Sequence, residues 1–194
     1  MKYSDTEIKT TKDIKLLEEH YNDNYNDYGY HNGYEILIAS NHNGYEILIA
    51  SNPNCPIHIL VNFSKSDNKT LAGKAVSNEN FPINLLEEFC VRDDEDLRIK
   101  IGVICNPNCS ESMLQKLFDH EILINSNDER KNVINYYIAR NKKCSYDILK
   151  IIYKQATSID ENIFLFEKMD SDIYNSDLIK MIVDNPNWQL KEFS

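Results

Sequence analysis

Cysteine and histidine are the residues of this chain best suited to bind a metal ion or to act as a nucleophile or base. The five cysteines form no C-x-x-C pair, and the step from Cys105 to Cys109 crosses a proline-containing turn without the second pair that a zinc site needs. The histidines have no serine or carboxylate arranged as a catalytic partner, and His31 and His42 are copies within a duplicated segment. We find no phosphate-binding loop, nucleophile elbow or H-E-x-x-H pattern. The sequence therefore predicts a protein that is not an enzyme and holds no metal or cofactor.

The acidic run at residues 92–96, Arg-Asp-Asp-Glu-Asp, superficially suggests a calcium site. It lacks the central glycine and the terminal glutamate of a calcium-binding loop, so a solvated loop between two helices is the better interpretation. The odd number of cysteines favours reduced thiols. The first residues, MKYSDTEIKTTKD, lack the apolar core of a signal peptide, and no apolar run is long enough for a membrane helix. We therefore expect a soluble, cytoplasmic protein.

Charge is distributed unevenly along the chain, whose formal net charge is −10. Residues 1–64 carry nine acidic and four basic side chains, residues 65–154 carry fourteen of each, and residues 155–194 carry eight acidic and three basic ones. Binding to nucleic acid or to an anionic membrane rewards a dense cationic surface. The balance therefore argues against both kinds of partner.

The elements that position these residues are set by a short motif that recurs five times. It reads Asn-Pro-Asn-Cys-Pro at residues 52–56 and returns in recognisable form at 78–82, 106–110, 141–145 and 185–189. The spacings of 26, 28, 35 and 44 residues lie in the range of solenoid repeats, with insertions in the later units.

Alignment on the first Asn of each motif reveals apolar columns. The positions seven, three and two residues before this Asn, and three and eight residues after it, are apolar in all five motifs. The columns before the Asn share one helical face, which predicts a helix that ends at the motif, and a further helix follows it. Helices this short are stable only when they stack on neighbouring units. We expect the first Asn to adopt the left-handed conformation that ends a helix, and Ser110 and Ser145 to cap the helices that follow.

With this pattern, the sequence resembles the leucine-rich repeat variant family. The closest match runs from Asp94 through Leu97 and Arg98 to the Asn-Pro-Asn-Cys motif at 106–109 and Met113-Leu114, and residues 45–154 are covered continuously. The resemblance implies an all-α fold, a short right-handed α-solenoid of stacked helix pairs related in shape to HEAT and armadillo arrays. Two departures stand out: only Arg98 matches the family's arginine, and residues 141–185 carry extra sequence that begins another helix near Ser158.

The eleven residues 31–41 recur unchanged at 42–52, which is an in-frame tandem duplication. Eleven residues are almost three helical turns, so the copy could extend one helix without changing its buried face. We favour two short helices joined at Asn43-Gly44, because both residues break helices. The predicted organisation is an N-terminal capping helix and Tyr-rich loop in residues 1–30, followed by helical repeats in residues 31–194.

Basic residues in the neutral middle of the chain lie on or beside the predicted second helices. Stacked units would align them into a stripe, which could contact a protein partner that is acidic on its contacting face. The predicted partner-binding residues are Lys74, Arg98, Lys100, Arg130, Lys131 and Arg140. The alternative is an ordinary solvated face with charges of both signs.

Three functions follow from these observations. The first is a non-catalytic α-solenoid scaffold that binds another protein, since repeat arrays offer extended surface. The second is a small acidic inhibitor, such as an immunity protein, antitoxin or phage antagonist, of a basic target. The third is a HEAT-like nucleic-acid-binding protein, which the net charge opposes.

Overall fold

A computed structural model of the chain describes residues 5–19, 46–92, 96–124, 129–157 and 177–192. All regular secondary structure in these ranges is α-helix, so the predicted all-α class is confirmed there. Of the second copy of the duplicated segment, residues 46–50 are helical. The first copy, the Tyr-rich stretch before it and the helix predicted near Ser158 lie outside the described residues.

The chain divides into two compact units, Met1–Asn108 and Cys109–Ser194. The described helices of unit 1 are α1 (Asp5–Thr10), α2 (14–19), α3 (46–50), α4 (Ile57–Phe63), α5 (Lys69–Val76), α6 (Ile83–Phe89) and α7 (Leu97–Cys105). Those of unit 2 are α8 (Glu111–Ile124), α9 (Glu129–Arg140), α10 (Tyr146–Thr157), α11 (177–183) and α12 (Pro186–Glu192).

Short polar side chains fix where several helices begin. Asn68 and Asp96 cap α5 and α7, each accepting a hydrogen bond from the backbone N–H two residues on, at 3.1 and 2.9 Å. Ser110 and Ser145 cap α8 and α10 by accepting from the backbone N–H three residues on, at 3.2 and 3.4 Å, which confirms the predicted caps. Helices α4 and α6 each follow a proline directly, where its missing N–H costs nothing.

The apolar columns form the cores of both units. Every described residue seven or three places before the first Asn, or eight places after it, is buried. The column two places before it is buried except at Val183, which is 42% exposed. Val183 belongs to the last motif, after which the described chain supplies only α12. Tyr45 and the side chain of Phe193 are outside the described residues.

Helices α5 and α7 approach each other at the level of the backbone. A Cβ placed on Gly73 would meet the carbonyl oxygen of Arg98 and lie 2.9 Å from its carbonyl carbon. A Cβ on Gly102 would meet the carbonyl oxygen of Gly73 and lie 3.2 Å from its carbonyl carbon. The backbone cannot yield as a flexible side chain can, so both positions require glycine.

Each of the five motifs forms the same corner. The side-chain Oδ1 of its first Asn accepts a hydrogen bond from the backbone N–H two residues on, at 2.7–3.0 Å, which is an Asx turn. The left-handed conformation expected of this Asn is not adopted at the end of α7, where Asn106 is extended, with φ −68° and ψ 131°. That prediction is wrong there because the Asx turn reverses the chain through a side-chain acceptor and needs no positive φ.

Two positions of the corner carry its polar contacts. We refer to the first Asn as the inner position and to the residue two places on as the outer position. The inner residues are Asn52, Asn78, Asn106, Asn141 and Asn185, and the outer residues are Asn54, Asn80, Asn108, Lys143 and Asn187.

Three inner asparagines also connect their corner to the preceding one. Nδ2 of Asn78 donates to the carbonyl oxygens of Ala50 and Asn52, at 2.9 and 2.7 Å. Asn106 and Asn185 donate to the two matching carbonyls of their preceding corners at 2.6–3.0 Å. All three donating asparagines are at most 7% exposed. An amide is needed because the same side chain must accept within its own corner and donate to the other.

Outer residues form a second, more exposed row of hydrogen bonds to the preceding corner. Three asparagines donate through Nδ2: Asn80 to Pro53 at 2.5 Å, Asn108 to Glu79 at 2.6 Å, and Asn187 to Lys142 and Cys144 at 3.0 and 2.8 Å. Lys143 reaches the carbonyl of Cys109 with Nζ at 3.0 Å. Donation alone is required at this position, so an ammonium group can replace the amide.

Candidate functional site

The predicted basic residues of unit 1 differ in exposure. Lys74, in the last turn of α5, and Arg98, in the first turn of α7, are exposed. Lys100 is only 4% exposed and does not lie on a surface stripe. It stands six residues before the inner Asn of its motif, as do Ala72 and Asn135, which are also buried. The matching residues Glu46 and Ile179 are half-buried, so this place on the helix is at least partly covered in all five repeat units.

Arg98 makes its contacts within unit 1. Its Nε lies 3.0 Å from Oδ1 of Asp96, with the two side chains 57% and 29% exposed. Its NH1 group lies 3.4 Å from the hydroxyl of Thr70, at the start of α5. Arg98 therefore links the beginnings of α5 and α7, and an exposed ion pair of this kind contributes at most about 1 kcal/mol.

In unit 2, Arg140 is exposed in the last turn of α9, where a cation favours the helix dipole. Arg130 and Lys131 belong to the same helix, but their side chains lie outside the described residues. Of the six predicted residues, Lys74, Arg98 and Arg140 are thus placed on described surface, the first two in unit 1 and the third in unit 2.

The cysteines are mostly part of the packing. Burial raises the pKa of Cys55 to about 12. Burial, with a smaller contribution from the negative charge of Glu111, raises the pKa of Cys144 to about 12. A thiol with so high a pKa is almost entirely protonated at neutral pH and is therefore a poor nucleophile. Cys90 and Cys109 are buried as well, whereas Cys105 is exposed.

The described histidine and acidic side chains include one pair at the surface of unit 1. His58 faces Glu18 at 3.8 Å, but the side chains are 65% and 40% exposed, which makes this a weak surface pair. Within the described ranges, no three His, Cys, Asp or Glu side chains come together in a way that could hold a metal ion.

A cleft of about 350 Å³ lies in unit 1 beside the beginnings of α5 and α7. We refer to it as cleft A. Its basic members are Lys65, Lys69 and Arg92, and its apolar wall is formed by Leu85, Phe89 and Ile99. Ser64, Glu88 and Asp96 complete the lining.

Sequence reasoning did not identify cleft A, because the predicted stripe followed the second helices. A signal was nevertheless present: Lys65 and Arg92 each follow a first helix closely, two residues after the end of α4 and three residues after the end of α6. A second, smaller cleft of about 180 Å³ passes between Pro53 and Pro107, with Lys74 and Glu79 in its lining. We refer to it as cleft B.

Comparison of the chain with models of protein families, with curated proteins and with solved structures gives no match. Among the described residues, no helix combines the length and the apolar character needed to cross a bilayer.

Proposed function

We propose that this protein is a non-catalytic α-solenoid, of the kind built by the leucine-rich repeat variant family, that binds another protein. The observation that carries the proposal is the recurring pair of hydrogen bonds from an inner asparagine to the preceding corner, at Asn78, Asn106 and Asn185. Bonds repeated at equivalent places are what stacking of equivalent units requires.

The different contacts of buried and exposed residues support the same function. The buried side chains of Asn78, Asn106 and Asn185 are occupied by bonds between successive corners. The thiols of Cys55 and Cys144 have raised pKa values and are poor nucleophiles at neutral pH. Binding to another molecule would therefore use the exposed side chains. Large apolar side chains remain exposed at Ile57 and Ile83, 56% and 54%, at equivalent first positions of α4 and α6.

The net charge of −10 favours one second candidate, an acidic inhibitor that occupies a basic site on its target. The two functions differ in their dependence on salt. Binding by an acidic inhibitor should weaken steeply as ionic strength rises, because the Debye length falls from about 10 Å at 0.1 M salt to about 3 Å at 1 M. Binding through apolar surface should weaken little.

Affinity purification tests the proposal. The tagged full-length protein is the bait, the bound proteins are identified by mass spectrometry, and each candidate is then titrated as a purified protein by isothermal calorimetry. We expect at least one partner that binds saturably with a fixed stoichiometry. If no purified candidate binds the folded bait at micromolar concentration, the proposal is refuted. Repeating the titration at high salt then separates scaffold from acidic inhibitor.

A further inference from the structure

Cleft A carries two basic side chains that nothing in the described chain neutralises. Within the described ranges, neither Lys65 nor Lys69 forms an ion pair, and the one described contact of the Lys69 ammonium is with the carbonyl of Ser66 at 3.3 Å. Asp93, Asp94 and Glu95, near the cleft in sequence, lie outside the described residues.

The two acidic residues of the described lining are already engaged. Glu88 lies 3.8 Å from Arg92, an i,i+4 pair on the side of α6. Asp96 accepts hydrogen bonds from the backbone and the side chain of Arg98. Lys65 and Lys69, which we call the rim of cleft A, therefore form no ion pair with either acid. The described lining holds three basic side chains and two acidic ones.

The opposite wall of the cleft is apolar. Phe89 and Ile99 are 6% and 3% exposed, so only small parts of their surfaces face the cleft, and Leu85 is half-buried. The guanidinium of Arg92 lies 5.5 Å from the centre of the Phe89 ring, which holds a third cation at the boundary between the apolar wall and the rim.

The volume of cleft A limits what can enter it. About 350 Å³ is at the low end of the roughly 300–1,000 Å³ typical of ligand pockets, and it suits side chains more than a large cofactor. A peptide that places one carboxylate near Lys65 and Lys69 and one apolar side chain against the wall would match both halves of the lining.

We propose that cleft A is a docking site for an acidic segment of a partner protein, in which an Asp or Glu side chain contacts Lys65 and Lys69 and a neighbouring apolar side chain packs against the apolar wall, chiefly against the half-buried Leu85. This inference rests on the proposed function and adds to it the place and the chemistry of the contact. The proposed site combines Lys69, at the start of the second helix α5, with residues at or just after the ends of the first helices α4 and α6.

Panning of a phage-displayed library of random dodecapeptides against the full-length protein tests the proposal. We expect enriched peptides that combine Asp or Glu with a large apolar residue. The double variant Lys65→Glu/Lys69→Glu should weaken their binding about tenfold or more, since it reverses both rim charges. Lys69 is the first residue of α5, where a glutamate favours the helix dipole, so this variant should fold.

The matched control is Lys116→Glu/Lys180→Glu, which makes the same change in net charge at two exposed lysines of unit 2. It should alter peptide affinity less than about twofold, because neither lysine belongs to the lining of cleft A. Equal losses in both double variants would show that net charge alone governs binding, and would overturn the proposal. Enrichment of basic peptides, or of none, would overturn it too.

Backbone amide NMR shifts then locate the bound peptide. Addition of an enriched peptide should shift the amides of Lys65, Lys69 and Phe89, and its Glu→Gln and Asp→Asn form should not. Inorganic phosphate serves as the simple-anion probe: if phosphate reproduces the shifts and competes with the peptide at equal concentration, cleft A is an anion site and the peptide proposal fails. If the purified partner still binds the Lys65→Glu/Lys69→Glu variant with unchanged affinity, the proposed function stands and cleft A is not its site.

Discussion

Replacement of Asn78 by alanine tests the energetic role of the inner asparagines. The substitution removes two donated hydrogen bonds, to Ala50 and Asn52, and one accepted from the backbone of Asn80 at 2.9 Å. Asn78 is 7% exposed, so water cannot easily replace it. The carbonyl of Asn52 keeps its bond from the N–H of Cys55 at 3.0 Å. At about 1 kcal/mol for each lost bond, with more for an acceptor left unpaired, Asn78→Ala should destabilise unit 1 by about 2–4 kcal/mol.

The matched control is Asn80→Ala, in the outer position of the same corner. Asn80 also donates to the preceding corner, to Pro53 at 2.5 Å, but it is exposed. Water can satisfy the carbonyl that it leaves, so the expected loss is about 0.5–1 kcal/mol. Both free energies of unfolding are measured by urea titration with far-UV circular dichroism. The single tryptophan, Trp188, lies in unit 2 and reports separately on that unit by fluorescence.

The difference between the two variants is the decisive quantity. If Asn78→Ala and Asn80→Ala lower the free energy of unfolding equally, burial does not set the value of these bonds and the reasoning is refuted. A loss below about 1 kcal/mol for Asn78→Ala would likewise show that the inner bonds contribute little to stability.

Two further predictions concern the packing of the cores. Gly102→Ala should destabilise the protein by about 1–3 kcal/mol in the same urea titration, because its Cβ would meet the backbone of Gly73. The control is Lys74→Ala, at an exposed residue of α5, the helix against which Gly102 packs, and it should change stability by less than about 0.5 kcal/mol. Equal effects of the two substitutions would contradict the close approach of α5 and α7. Stability should also fall as pH rises from 9 towards 12, since Cys55 and Cys144, with pKa values raised from 9.0 to about 12, keep in the folded state protons that the unfolded chain releases. Each thiol adds up to about 1.4 kcal/mol per pH unit to the slope of the unfolding free energy against pH. Cys144→Ala should reduce the slope by up to that amount, and Cys105→Ala, at the exposed thiol, should leave it unchanged. Identical slopes in the unsubstituted protein and both variants would disprove the raised pKa of Cys144.

The helix pairs and their cores could be predicted because each buried position recurs in five motifs. A column that is apolar in every motif indicates burial more reliably than any single residue does, as in the column of Ile49, Ala75, Val103, Ile138 and Ile182. The role of the inner Asn could not, because its acceptors lie in another corner some 26 or more residues away and leave no mark on the local sequence. From its sequence neighbours alone, an Asn that only forms a turn cannot be distinguished from an Asn that also donates hydrogen bonds to another corner.

The burial of Lys100, one of the predicted partner-binding residues, could not be predicted from its sequence neighbours either. Its charge predicts a surface position, but the side chain is buried, as are those of Ala72 and Asn135 at the matching places of two other repeat units. Cleft A combines the loop after α4, the end of α6 and the start of α7, and this combination is set by packing and not by the spacing of basic residues alone.

The replacement of asparagine by lysine at residue 143 has a practical consequence for redesign of this chain. The outer place accepts chemically different side chains so long as one hydrogen reaches the neighbouring carbonyl. Substitution of Asn80 or Asn108 by glutamine, arginine or lysine could therefore change the charge along one edge of unit 1. The asparagines at the inner position would continue to hold the corners together while the outer residues are changed.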